Sequence, residues 1–328
     1  MMCVIVLGVL AAVADARAEV EAIRIGRQPG LTYLPLIVMQ HDQLLDRRAR
    51  EAGLAGLAYK PVQLGSAGAL NDALLSGSVD MVAGAITVMA VLTDKTRGTL
   101  DVRGIAALNA SPMLLNTNNR SIKTVRDFTE RDRIAVSAVK LSIHAILIEM
   151  AAAQAFGADQ FERLDRLTVS LPHPEGMASL LTGKTEITGH FTTPPFQDIE
   201  LQNPAVHTVT SSNEILGGRN TMSLIWTTGR FRADNPRAYK AFLAALEDAD
   251  RAIVQDPRRA AQLYVETEGG TMAREFVERL IADPQVWTTV PERMMPYVAF
   301  LMRIGRLKGR YDGWKDLFFP EIHDKPGS

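Results

Sequence analysis

A single cysteine, Cys3, occurs in 328 residues. With no second cysteine, neither a disulfide framework nor a cysteine-based metal site can be built. Charge of one sign is not in excess: 36 Lys and Arg stand against 37 Asp and Glu, a net charge of −1. No basic block interleaved with aromatics occurs, which argues against a nucleic-acid surface. Aromatic residues are sparse, at 6%. Long apolar runs are missing, so no segment after the N-terminus reaches membrane-spanning length. The patterns G-x-S-x-G, H-E-x-x-H and G-x-G-x-x-G are all absent, and with them the sequence signs of a nucleophile elbow, a zincin and a dinucleotide fold. The six histidines, His41, His144, His173, His190, His207 and His323, lie far apart in sequence, and neither a metal nor a cofactor is read from them.

What is present begins with MMCVIVLGVLAAVA, an apolar run too short to cross a bilayer comfortably. It leads to Ala16-Arg17-Ala18 and then Glu19. Small residues two apart before a polar stretch are the cleavage pattern of a secretory signal peptide, although no Lys or Arg precedes the run. Residues 1–18 are therefore expected to be removed, with cleavage after Ala18. The mature chain would then be free of cysteine, as suits an oxidising, periplasmic compartment.

Strand and helix patterns alternate along the rest. AIRIGR (22–27), AYKPVQ (58–63), VDMVAG (79–84), VRGIAAL (102–108), IAVSAV (134–139), LTVSL (167–171), TEITGH (185–190) and SLIWTT (223–228) read as strands. Helical patterns lie between them, and from about residue 234 the chain is almost purely helical. Such alternation implies βαβ units and mostly parallel sheets, an α/β class. Two segments share one plan 106 residues apart: LLSGSVDMVAG from Leu74 and LLTGKTEITGH from Leu180. Each is a helix end, a glycine turn, an acidic residue and a strand. Two lobes built on one scheme would produce this. ASLLTGKT (178–185) also fits a loose phosphate-loop pattern. Its order is helix, turn, strand, the reverse of what cradling a phosphate needs, so no nucleotide site is read there.

Between IAVSAV and the helix beginning near Ile143 stand Ser137, Lys140 and Ser142. Ser142 before an apolar helical run reads as an N-cap, with Gly157 as the stop. Helix N-termini also present free N–H groups to anions and polar ligands, so a cap and a ligand site are both open there.

Several longer stretches resemble a known family. The segments at 33–46, 124–159, 167–196 and 227–257 together resemble the nitrate/sulfonate/taurine-type substrate-binding proteins of ABC importers, with some similarity to thiamine-pyrimidine-precursor binders. The first helix departs from that pattern: Met39 and Gln43 stand where a small residue and a glycine are usual. The resemblance implies a two-lobed, type II periplasmic binding protein, each lobe a mostly parallel sheet flanked by helices. Residues 19–108 and 221–328 would form lobe one and residues 109–220 lobe two, with hinges near 108–112 and 217–221. A small-molecule ligand would sit between the lobes, and ABC permease and ATPase subunits would be the partners of a monomer.

In open parallel sheets ligands lie beyond the carboxyl ends of the strands. The loops that land there are 28–33, 64–68, 84–87, 137–142 and 190–193. They supply the expected ligand-binding residues: Gln28, Tyr33, Gly65, Ser66, Thr87, Ser137, Lys140, Ser142, His190, Phe191 and Thr192. Plain capping is the alternative role for the serines, and core packing for the aromatics. His144 is expected to pack or to bond the backbone, and Trp226 to lie in the core. These loops hold bases but no carboxylate, which favours an anionic or neutral ligand over a cation. With Lys140 counted in, a small anion of the sulfonate, nitrate or carboxylate kind is expected. An enzyme on the same fold, of the menaquinone- or thiamine-pyrimidine-pathway kind, and a ligand-presenting sensor subunit are the alternatives.

Overall fold

Ten short strands sort into two five-stranded sheets in a computed structural model that describes residues 18–328. The expected signal segment therefore lies outside the described residues, Ala18 excepted. Strands β1 (Ala22–Arg27), β2 (Ala58–Gln63), β3 (Met81–Ala85), β4 (Arg103–Asn109) and β10 (Ser223–Thr227) form the first sheet, in the order β2-β1-β3-β10-β4. Strands β5 (Leu114–Thr117), β6 (Arg133–Val136), β7 (Thr168–Ser170), β8 (Ile187–Thr192) and β9 (His207–Ser211) form the second, in the order β7-β6-β8-β5-β9. In each sheet four strands run one way and the fourth in order runs against them. In the first, β1 pairs parallel with β2 and β3, and β10 runs antiparallel to β3 and β4. In the second, β6 pairs parallel with β7 and β8, and β5 runs antiparallel to β8 and β9. The two similar segments found in the sequence lead into β3 and β8, which hold the same central place in their sheets.

Helices α1 (Leu34–His41), α2 (Leu44–Glu51), α3 (Ala67–Leu75) and α4 (Ile86–Thr96) follow the strands of the first sheet. Helices α5 (Ile143–Phe156), α6 (His173–Thr182), α7 (Phe196–Glu200) and α8 (Ser212–Leu216) belong to the second. The chain returns through β10 to α9 (Gly229–Asp234), α10 (Pro236–Gln255), α11 (Pro257–Tyr264), α12 (Arg274–Leu280) and α13 (Met295–Arg303). The chain passes between the sheets twice, through residues 110–113 and 212–222. The helical stretch after β1 is divided between α1 and α2 at Gln43, φ 51. That left-handed backbone is one a glycine adopts without a Cβ clash.

Two apolar clusters hold the molecule. Ile23, Ile25 and Ile225 of the first sheet pack with Leu34, Tyr239, Phe242 and Leu246 of α1 and α10. The second cluster is continuous across both sheets. It runs from Val82, Leu224 and Trp226 through Met89 of α4 to Ile146 and Leu147 of α5, and on to Ile134 and Val136 of β6. Tyr297, Phe300 and Leu301 of α13 join it. Burying an aliphatic or aromatic side chain of this size contributes about 1.5–3 kcal/mol, so this shared core holds the two sheets against each other. Among the described residues no helix is long and apolar enough to cross a membrane.

Candidate functional site

The carboxyl ends of β1, β3, β6, β7 and β8 and one end of β10 converge on a cavity of about 610 Å³, its mouth included. The first sheet supplies Gln28, Thr32 and Tyr33 after β1, Gly84 and Ala85 closing β3, and Ser223 and Trp226 on β10. The second supplies Ser137, Ser142 and His144 around the start of α5, His173 at the start of α6, and Thr193 after β8.

Each wall group is set by its local chain. Gln28 Nε2 donates to the carbonyl of Gly65, 3.2 Å away, tying two of the loops together. The hydroxyls of Thr32 and Ser223 bond each other at 2.7 Å. Tyr33 is buried, and burial pushes its phenol up to about 12, so it stays protonated. Behind it Arg27 pairs with the carboxylate of Glu268, which also accepts from the Gly30 N–H at 3.0 Å. Trp226 is 1% exposed and its benzo edge lies over Gly84. A Cβ at residue 84 would stand 2.8 Å from Trp226 Cη2, so only glycine admits this indole.

Ser142 caps α5 as expected, accepting from the Ala145 N–H at 3.3 Å, and its hydroxyl also donates to the Ala138 carbonyl at 2.8 Å. Gly157 ends that helix. Ser137 Oγ lies 3.5 Å from His144 Nδ1.

Histidines separated in sequence meet in space, contrary to the expectation from their spacing. The His144 and His173 ring centroids are 4.9 Å apart, edge to face, and those of His173 and His190 are 5.7 Å apart. They meet because α5, α6 and β8 all place a residue at the same end of the second sheet. Burial, reinforced by repulsion from His190, lowers His144 to about 3. Burial and then the two neighbouring imidazoles depress His173 well below its ordinary value. Both rings are therefore neutral at physiological pH. His173 Nδ1 pairs with Thr192 Oγ1 at 2.8 Å, and His190 Nδ1 with Glu200 Oε1 at 2.6 Å. Among the described residues no group of three or more His, Cys, Asp or Glu is arranged to hold a metal.

Of the expected ligand residues, Gln28, Tyr33, Ser137 and Ser142 lie on the cavity wall. The other seven do not. Gly65 meets the wall only through its carbonyl on Gln28, and Ser66 caps α3 by accepting from the Ala69 N–H. Thr87 is buried in the first turn of α4, between wall residues Ala85 and Val88. His190, Phe191 and Thr192 stand behind the wall: Phe191 packs on His144 and Thr192 holds His173. They were expected in a loop. Strand β8 instead runs on to Thr192, paired with β5.

Lys140 is the largest displacement. Its ammonium lies 3.8 Å from both Glu162 and Asp165 on a half-exposed surface, away from the wall, and two carboxylates answer its charge. The expected positive charge at the site is thus absent from the wall. His144, His173, Thr193 and Trp226 are wall residues that sequence reasoning placed elsewhere or passed over. An unexplained polar pair on a helix start, Ser142 and His144, was the signal available for the first of them.

The sequence matches the model of a family described as NMT1-like over residues 16–265. No curated protein is matched. Among solved structures, the fold is similar to the alkanesulfonate-binding protein SsuA of Xanthomonas axonopodis pv. citri, bound to MOPS. The TM-score is 0.69 at 15% identity, over 89% of this chain and 96% of that one. It is also similar to the periplasmic aliphatic sulphonate-binding protein SsuA of Escherichia coli (TM-score 0.69, 17% identity, 92% of each chain). The periplasmic nitrate-binding protein NrtA of Synechocystis PCC 6803 is a third such structure (TM-score 0.70, 14% identity, 91% of this chain and 85% of that one).

Proposed function

Because the chain belongs to the NMT1-like family, we propose that it is an extracytoplasmic solute-binding protein that captures one small organic molecule between its two sheets and delivers it to an ABC permease and its ATPase. The observation that carries this reading is the cavity itself, walled from both sheets at the carboxyl ends of their strands. A ligand there touches two bodies at once, so binding favours their approach and the exclusion of water. Residues 19–108 with 221–328 act as one lobe and 109–220 as the other, turning about the two passages between the sheets. The chain works as a monomer in the periplasm, after cleavage behind Ala18.

Binding rather than catalysis fits the wall chemistry. Its titratable side chains are Tyr33, held protonated, and His144 and His173, held neutral. None of the three is poised to exchange a proton near neutral pH, as a general acid or base must be. Native mass spectrometry of protein purified from the periplasm of an expression host checks the reading. A single small-molecule adduct that is lost on unfolding supports it. Adduct-free protein that also fails to bind any member of a broad solute panel contradicts it.

A further inference from the structure

Resting on that reading of the cavity, we infer that the ligand is an uncharged molecule whose hydrogen-bonding groups meet the indole N–H of Trp226 on the first sheet and Nε2 of His144 on the second. The first ground is charge. Among the described residues eighteen line the cavity, and none of them is Lys, Arg, Asp or Glu. Lys140 is paired on the surface with Glu162 and Asp165. Arg27, stacked 5.9 Å from the Tyr33 ring centroid, is already neutralised by Glu268. The wall imidazoles are neutral. An anion closed into such a site would give up its hydration with no counter-charge in reach. A helix N-terminus would return only a part of that loss.

The second ground is unmet hydrogen bonding. Trp226 and His144 both line the cavity, as residues 1% and 3% exposed, and Trp226 Nε1 and His144 Nε2 are buried with no partner among the described residues. Buried polar groups are otherwise satisfied in folded proteins, and an orphan in a cavity wall marks what its occupant must supply. Indole N–H is a donor only, so the ligand carries an acceptor at that point. Helix α4 adds to the demand for acceptors. Its N-cap, Ala85, has no side chain that could take the first N–H groups, and Ala85 is itself on the wall. The neutral imidazole of His144 offers a donor or an acceptor according to tautomer, so the second ligand group is of either kind. The two nitrogens belong to different sheets, so one ligand bonded to both would bridge them.

Isosteric pairs that differ only in charge test this. The mature chain is stripped of cargo by unfolding and refolding, then titrated calorimetrically at pH 7.5. The probes are benzamide against benzoate, nicotinamide against nicotinate, and benzenesulfonamide against benzenesulfonate. The uncharged member is expected to bind at least tenfold more tightly wherever a pair binds. Trp226→Phe and His144→Phe are each expected to weaken that uncharged probe about tenfold or more, with folding verified by circular dichroism. His144→Phe is the second variant in case loss of the indole unsettles the core. Tighter binding of the anionic members overturns the inference while leaving the solute-binding reading intact. So does uncharged-probe binding that neither variant alters. Absence of binding by every uncharged probe also overturns it, and the adduct in native mass spectra then decides separately whether the cavity is a solute site at all.

Discussion

Lys140 holds a left-handed backbone, φ 61, with its ammonium turned to two surface carboxylates. Exposed pairs of this kind contribute about 0–1 kcal/mol, while a non-glycine residue in this conformation carries a strain of about 1–2 kcal/mol that glycine avoids. Lys140→Gly is therefore expected to keep or raise stability, by up to ~1 kcal/mol in chemical denaturation, and to change ligand affinity less than twofold. A large loss of binding would return Lys140 to the site. His144 gives a second residue-level outcome. Its imidazole is neutral in the fold down to about pH 3 but protonates near 6.5 when unfolded. Between those values the unfolded state holds the extra proton, so this residue's contribution to stability falls as pH drops below 6.5. His144→Phe should make the acid limb of the stability profile shallower by up to about 1.4 kcal/mol per pH unit over that window. An unchanged slope would mean that the ring is not held neutral.

At the level of elements, much of the architecture was legible. Strands β1, β2 and β10 were read to within a residue, because apolar and β-branched runs bounded by turn residues have few other readings. Strands β5 and β9 were not seen. LLNT is only four residues long and HTVTS is largely polar, and they pair antiparallel at one side of the second sheet, where neighbours rather than periodicity define them. Missing β5 also hid the extension of β8, and with it the true places of His190, Phe191 and Thr192. Four of eleven expected site residues reached the wall. Loop membership was readable, but the direction of each side chain depends on packing from other elements. Ser142 shows the distinction. Its hydroxyl is already committed to Ala138 and Ala145, so on the wall it acts chiefly as a cap. Ser142→Ala is expected to cost ~1 kcal/mol of stability and to leave affinity nearly intact, as thermal melts with and without ligand would show.

Over the whole molecule, the C-terminal segment joins the two halves. Arg306 donates to Glu149 of α5 at 2.6 Å and to the Lys140 carbonyl at 2.9 Å, and Phe300 of α13 meets Phe161 edge to face. Glu149 is fully buried, and burial raises its carboxyl to about 7 although Arg306 pulls it down. A carboxyl raised in the fold favours folding at low pH and loses that contribution as pH climbs from 4.5 through 7. Without its guanidinium partner the carboxylate would be harder still to ionise. Arg306→Gln is thus expected to destabilise by up to ~3 kcal/mol at pH 8 and clearly less at pH 5.5. Equal losses at the two pH values would show that Glu149 does not sense Arg306.

The claim on which the functional reading depends is that one ligand is gripped by both sheets. Small-angle scattering of the same preparation, stripped of cargo and then reloaded to saturation, tests it most directly. Closure around the ligand requires a smaller radius of gyration in the reloaded sample, with the change tracking the calorimetric occupancy. Superimposable curves at proven saturation would contradict it, leaving a cavity that fills without bringing the two halves together.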